Sequence, residues 1–507
     1  MGRELGGHPV EERVLLTLEI GDRACQGVPM AGERVGVTAG VACLDVPQWR
    51  LRHEGAQAGV VGLVFEERDL LLGDRQLRPQ ALEPFAHVDE PPLEDRLGHG
   101  PRSVRLGPRV PCGSGQNGWV DVPSAIFTAE HEELRAAVRR FVEKELAPSV
   151  DEWEEAGYFP DWVFRRCGEL GFLGLHYPER WGGSGGDLAA EVVFIEELSH
   201  CGAGAIPMAI SVQTDMATPA LAEFGTDDQR ERYLRPAIAG EKIGAITVSE
   251  PDAGSDVANV STRAVRDGDT WMINGRKMFI TNGARADFLT LVAQTEPGSG
   301  YRGISLFLVD TDLPGVSVSR TLKKLGMCSS DTAEIALDHV PVPHGSLIGL
   351  EPGQGFAQQM WQFQYERLAG AAASVGQADK TLTETIAYAR ERRAFGKPIA
   401  DHQVIAHMLA DAATELEAGR ALLYSIVWRI QQGEYPVAEI SMTKKYCAQM
   451  QNRLADTCLQ VYGGYGYMAE TPVSRAWRDA RLQRIGAGTD QIMNEVIAKR
   501  LGISAGD

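Results

Sequence analysis

Five short stretches of the chain carry residue types and spacings that can do chemistry. RIGAGTDQIM (Arg484–Met493) sets a glycine-flanked turn, a Thr and two polar side chains ahead of an apolar-periodic run. Its glycines let a ligand approach the backbone closely, yet its apex is Ala487, which offers an amide and neither acid nor base. SEPDAGSD (Ser249–Asp256) is a Gly/Ser-rich loop that can present backbone N–H groups and hydroxyls to a polar ligand, or serve as an ordinary turn. KMFITNG (Lys277–Gly283) places Phe279 and Thr281 on one strand face, suited to a flat ring system or to a half-buried strand. RAFGKPIADHQ (Arg393–Gln403) and QVYGGYGYMAE (Gln460–Glu470) are Gly-rich breaks where a phosphate or another backbone can come close.

The elements that must position these stretches follow from periodicity. Thr128 can cap a helix whose first turn is acidic, and Leu134, Val138, Phe141, Val142 and Leu146 form one apolar face before Pro148. Helical patterning continues to about Gly240. From Ala245 the period changes to that of strands (AITV, TWMINGRKMFIT, FLTLVAQT, ISLFLVD, AEIALDHVPV), with Asn274-Gly275 predicting a hairpin turn. After Gly355 the helical period returns, with segments around 362–375, 380–392, 402–431 and 437–463 and a last run to Leu501. The expected fold is multidomain: a helical N-terminal domain (125–243), a central β-barrel-like domain (244–348) and a C-terminal four-helix bundle (352–505). Residues 1–120, rich in Gly, Pro and Arg, read as an extension of unknown structure and function.

Composition narrows the function classes. At 507 residues, 44% of them hydrophobic and 23% charged, the chain can build several cores. A net charge of -19 argues against nucleic acid or an anionic membrane as partner. The eight Cys are scattered, with no zinc-like spacing, so no metal site is expected. No run reaches the roughly 18 apolar residues of a membrane span, and an acidic N-terminus fits neither a secretory signal nor a transit peptide. These features predict a cytoplasmic protein without a membrane span.

Taken in order, SEPDAGSD, KMFITNG, KKLGMCSSDTAEIALDHVPVP, RRAFGKPIADHQ, QVYGGYGYMAETPVSRAWRDAR and RIGAGTDQIM closely resemble the acyl-CoA dehydrogenase family of flavoproteins, from about Thr128 to Gly502. The resemblance implies FAD as cofactor, an acyl-CoA substrate, an electron-transfer flavoprotein as partner and assembly as a tetramer or dimer. Val248, Ser249 and Ser255 match flavin-contacting positions, Ser255 lying near the thioester as well. Phe279 and Thr281 match the residues beside the isoalloxazine, although the family often has Trp where Phe279 stands. Arg392, Phe395, Gln403, Gln460 and Gly464 match positions that hold the adenosine diphosphate moiety from a neighbouring subunit, and Thr489 and Gln491 match the remaining flavin contacts. Many members carry their catalytic Glu where Ala487 stands; the long-chain and isovaleryl types instead supply it from the helix that opens the bundle, where Glu366 of YERL matches and Arg367 lies beside the substrate.

The implied reaction is α-proton removal by Glu366 and hydride loss from the β-carbon to the flavin. The Ala487 N–H and the ribityl 2′-hydroxyl would stabilise the enolate oxygen. A same-fold oxidase or monooxygenase using O2, a dehydrogenase acting on a carrier-protein-bound acyl group, and a flavin-binding protein with little catalysis are the alternatives. Acyl chain length is not legible.

Overall fold

The computed structural model describes residues 126–503, and the expected extension at 1–120 lies outside them. The chain opens with the helix Ala129–Phe141, whose apolar face buries Val138 and Phe141 and continues into Val142 and Leu146. At its start the Thr128 backbone N–H donates to Nδ1 of His131 (3.0 Å). It packs on Leu188–Leu198, a helix buried on nearly every side. Ionic contacts cross the seam: Arg139 holds Glu197 through Nε and Nη2 (3.0 and 2.9 Å), and Arg135 Nη1 reaches the same carboxylate at 3.2 Å.

The middle region is a seven-stranded sheet. It comprises β1 (Gly244–Thr247), β2 (Arg263–Asp267), β3 (Thr270–Thr281), β4 (Phe288–Gln294), β5 (Ile304–Asp310), β6 (Val316–Thr321) and β7 (Thr332–Pro343). The order is β1-β4-β2-β3-β7-β6, with β5 also pairing β4. Trp271, Ile273, Phe307, Ile335, Val340 and Val342 form its core. β2 and β6, short and largely exposed, were not anticipated from the pattern.

The Asn274-Gly275 hairpin expected from the sequence is not formed. The β2–β3 turn is at Gly268–Asp269, and β3 runs through Asn274-Gly275 with a register shift against β7. Two contacts explain the difference. Asn274 Oδ1 accepts the His339 N–H (2.9 Å), and a Cβ on Gly275 would lie 2.3 Å from Thr262 Oγ1, so Gly275 answers a close approach of the segment that leads into β2 rather than a turn.

The C-terminal region is helical. Its opening helix is continuous over Gly355–Glu391, 37 residues, where two segments were expected. Small buried residues from Ala371 to Ala378 pack it against its neighbours without interruption. Gln403–Gln431 and Val437–Tyr462 follow, then Pro472–Ala480 and Asp490–Arg500. Asp479, buried and with its pKa raised to about 6 chiefly by desolvation, accepts the N–H of Gly204 (2.9 Å) and of Met327 (2.5 Å). It thereby fastens the helical N-terminal region and a sheet loop to the bundle. Among the described residues no helix is long and apolar enough to cross a membrane, and no group of three or more His, Cys, Asp or Glu is placed to hold a metal ion.

Candidate active site

Glu366 sits eleven residues into the opening bundle helix, between Tyr365 and the buried Arg367. The residue as a whole is half-buried, and protein packs densely enough around it to desolvate its carboxylate. That desolvation raises its pKa to about 7, with Arg367 and Lys444 offsetting part of the rise. Glu366 and Arg367 do not form a solvated ion pair: Arg367 is 5% exposed, its Nη1 reaches Gln364 Oε1 at 3.4 Å, and its Nε has no partner among the described residues.

Close to the same cations lies the turn that ends RIGAGTDQIM. Ala487 and Gly488 have φ of +56° and +92°, a left-handed pair in which only the second is glycine. The Ala487 N–H meets no acceptor among the described residues. Thr489 caps the last helix by accepting the Ile492 N–H (3.2 Å), and Lys444 Nζ donates to the Gly488 carbonyl (2.6 Å). A backbone amide without an acceptor in a left-handed turn, linked through Lys444 to a carboxylate whose pKa is raised to about 7, is a set that can polarise a carbonyl while a proton is taken from the adjacent carbon.

The SEPDAGSD loop leaves β1 and is held against β3, with the Met278 N–H donating to the Ser249 carbonyl (2.9 Å). Beneath it Lys277 and Glu250, 0% and 4% exposed, form an ion pair at 2.9 Å. Lys277 also donates to the Val248 carbonyl (3.1 Å), and Glu250 accepts from the Ser261 N–H and hydroxyl and the Thr262 N–H. The β-bulge between Lys277 and Ile280 turns Phe279 outward at φ +62°, leaving its ring 68% exposed, while Ile280 is buried and Thr281 half-buried. Ser249 is half-buried and Ser255 exposed. An uncovered ring beside unspent hydroxyls fits a flat, polar-edged group.

The remaining predicted residues gather elsewhere. Arg392, at the far end of the opening helix, lines a cavity of about 540 Å³ together with Tyr388, Ile399, Tyr462, Gly464 and Tyr465; Gln460 precedes it by one turn. Phe395 stands at the tip of a two-stranded hairpin, φ +54° and 96% exposed, and Gln403, exposed, begins the next helix. At 1.5 Å per residue the helix separates Glu366 from Arg392 by roughly 39 Å. Within the bundle the predicted residues therefore fall into two clusters, Glu366, Ala487 and Thr489 at one end and Arg392, Phe395, Gln403, Gln460 and Gly464 at the other, while Val248, Ser249, Ser255, Phe279 and Thr281 stand on the sheet region. Gln491 is exposed at the start of the last helix.

Sequence reasoning passed over Lys444, Lys277 and Glu250 as parts of the site. A signal existed for the first: Ile440, Lys444, Cys447, Ala448, Gln451 and Leu454 recur at helical spacing, and all are buried. A Lys on an otherwise inward face calls for a partner.

Family models for the acyl-CoA dehydrogenase N-terminal, middle and C-terminal domains match residues 128–241, 245–340 and 353–502. The mouse mitochondrial long-chain specific acyl-CoA dehydrogenase is 38% identical over 418 residues, covering 78% of this chain and 96% of its own. A subunit of the caffeyl-CoA reductase-Etf complex of Acetobacterium woodii is 39% identical over 74% of this chain and 99% of its own. The crystal structure of a Mycobacterium smegmatis glutaryl-CoA dehydrogenase in complex with FADH2 superposes with a TM-score of 0.71 at 31% identity, over 75% of this chain and 96% of that one. With all three domains matched in order and a relative covered almost end to end, the chain belongs to the acyl-CoA dehydrogenase family of oxidoreductases.

Proposed function

We propose that this chain oxidises an acyl-CoA thioester between its α and β carbons to the trans-2-enoyl-CoA, using FAD, and passes the electrons to an electron-transfer flavoprotein. The observation that carries this reading is Glu366: a carboxylate with its pKa raised to about 7, close to a turn whose apex, Ala487, supplies an amide but no base. In this respect the chain is of the long-chain and isovaleryl type, with its base on the opening bundle helix.

The work of the protein side chains follows from the difficulty of the step. A proton α to a thioester is too weakly acidic for a carboxylate unless the negative charge that develops on the thioester oxygen meets aligned donors in a dry site. The Ala487 N–H is the protein's donor, and its left-handed turn holds it without reorganisation. Glu366 takes the proton, and the nearby Arg367 and Lys444 stabilise its charged form beforehand. When bound, FAD supplies the acceptor for the β-hydrogen as hydride. Val248, Ser249, Ser255, Phe279, Thr281, Thr489 and Gln491 would hold its ring end, and Arg392, Phe395, Gln403, Gln460 and Gly464 its adenosine diphosphate end.

The separation of those two clusters supports assembly into a homo-oligomer, dimer or tetramer. Roughly 39 Å of helix is longer than one dinucleotide spans, so the ring end would lie on one copy and the diphosphate end on the next. The nearly uncovered Phe395 ring at a hairpin tip agrees with insertion into a neighbour.

An anaerobic panel of acyl-CoAs of varied length and branching, followed by loss of flavin absorbance, tests the activity. Bleaching by at least one chain class, reversed by electron-transfer flavoprotein and not rapidly by air, is the expected result. Rapid aerobic turnover would assign O2 as acceptor instead, and no bleaching by any thioester would refute the reading. The rate of bleaching rises with pH through about 7, because only the ionised Glu366 can take a proton. A rate that is flat from about pH 5 to pH 9 would exclude it as the base.

The position of the base gives a second check. In a Glu366→Gln background, Ala487→Glu is expected to restore a measurable part of the lost activity on short substrates. The change keeps the amide and offers a carboxylate to the same carbon from the turn instead of from the helix. Absence of any regain, with FAD still bound, would mean that the two positions do not face one substrate carbon.

A further inference from the structure

Lys444 favours the charged form of Glu366, but that alone does not account for where its ammonium is bonded. It is 1% exposed, on the helix Val437–Tyr462, and among the described residues its one hydrogen bond runs to the Gly488 carbonyl at 2.6 Å. That carbonyl belongs to the turn that aims the Ala487 amide. Desolvation lowers the lysine's pKa to about 8, with the charges of Asp490 and Glu366 offsetting part of the cost and Arg367 adding to it. One ammonium thus lies within electrostatic reach of the carboxylate on the opening helix and bonds directly to the strained turn on the other side.

The turn needs such an anchor. A non-glycine residue at φ +56° persists only where its surroundings over-determine it. Gly488 beside it is at φ +92° with no room for a side chain, since a Cβ there would lie 2.7 Å from Met493 Cε, so the backbone of the pair must be held from outside. Three side chains of the helix Val437–Tyr462 reach the segment: Lys444 to Gly488, Gln449 Nε2 to Asp490 Oδ2 (3.0 Å) and Asn452 Nδ2 to the Ala480 carbonyl (2.6 Å). Arg484 Nε closes the base of the turn onto Asp490 Oδ2 (2.7 Å). Of the three anchors from the helix, Lys444 alone is bonded inside the left-handed pair, and it alone is charged.

We propose that Lys444 is a positioning residue for the dehydrogenation: its ammonium fixes the Ala487–Gly488 turn so that the Ala487 N–H meets the thioester oxygen, and its charge keeps Glu366 ionised. The inference rests on the proposed roles of Glu366 and Ala487, and its test separates the two.

Lys444→Met and Lys444→Gln are compared with wild type in two measurements. The first is the pH dependence of anaerobic flavin reduction. The second is the binding of a 3-thiaacyl-CoA, which loses its α-proton but cannot be oxidised, and so reports enolate stabilisation without turnover. The expected result is a reduction rate about 10- to 100-fold lower at neutral pH, a weaker thiaacyl complex, and a lower pH limb displaced to higher pH by about one unit because a cation near Glu366 is gone. Lys444→Gln, which keeps a donor for the Gly488 carbonyl, should regain thermal stability and part of the thiaacyl affinity while its pH limb stays displaced. Wild-type rate, affinity and limb in Lys444→Met would overturn the proposal. A slower rate with limb and affinity unmoved would also overturn it, since that is the mark of a merely structural lysine. Should both variants fail to fold, the wild-type thiaacyl complex decides: affinity lost above about pH 8, as the lysine deprotonates, supports the role, and affinity constant to about pH 10 overturns it. Glu366→Gln run alongside identifies failure of the underlying reading, for then flavin reduction persists whatever Lys444 does.

Discussion

Glu366→Gln is expected to leave FAD bound and to lower the rate of anaerobic flavin reduction by about three orders of magnitude, within the range that a positioned general base contributes. The substitution changes one atom type and keeps the volume of the side chain. Two other carboxylates whose charges act on this region, Asp490 and Glu191, are each already beside a cationic or basic side chain. Asp490 is held by Arg484 and Gln449, and Glu191 lies against His176 Nδ1 at 2.9 Å. The amide also removes a burial cost, because Glu366 sits in surroundings that raise its pKa to about 7, so the variant should melt no lower than wild type. Loss of rate with unchanged or higher thermal stability therefore separates a catalytic role from a folding one. Reduction within a factor of about three of wild type would remove Glu366 from the mechanism.

The order of helices, strands and helices was legible because it rests on periodicity, which needs no tertiary information. Leu134, Val138, Phe141, Val142 and Leu146 announce their helix by spacing alone, and four of the five are buried. The errors lie where a contact distant in sequence overrides a local preference. Asn274-Gly275 carries a strong turn signal, but Thr262 and His339 claim it for the middle of β3. The exposed strand β6 has no buried face to alternate against and left no pattern to read.

The site divides along the same line. Gly-rich loops mark themselves, so the stretches from SEPDAGSD to RIGAGTDQIM could be found before any coordinates. Their supports could not. Lys277, Glu250 and Lys444 act through burial and through partners 27 to 44 residues away, and a lysine in a sequence reads by default as solvated. The division of the site into two clusters likewise depends on the opening helix being unbroken, and its pattern had suggested two segments.

Lys277→Met should have the largest effect on stability. The ammonium is fully buried and makes an ion pair with Glu250 at 2.9 Å. Burial alone would raise the pKa of Glu250, but Lys277 and the Ser261 and Thr262 donors outweigh it and hold the carboxyl down at about 2. Lys277 in turn is lowered to about 8, since desolvation exceeds what Glu250 returns. Removing one partner of such a pair leaves an uncompensated charge at a cost of about 3–5 kcal/mol, and the donors that remain on Glu250 favour the lower end. The expected outcome is a thermal midpoint lower by roughly 5–10 °C. Weakened FAD retention should accompany it, because the Val248 carbonyl loses its tether and the SEPDAGSD loop with it. The double variant Lys277→Met/Glu250→Gln keeps the volume and removes the stranded charge, so it should recover more than half of the lost midpoint. An unchanged midpoint in the single variant, or no recovery in the double, would mean that the pair is replaceable and that the loop is held by the Met278–Ser249 backbone bond instead.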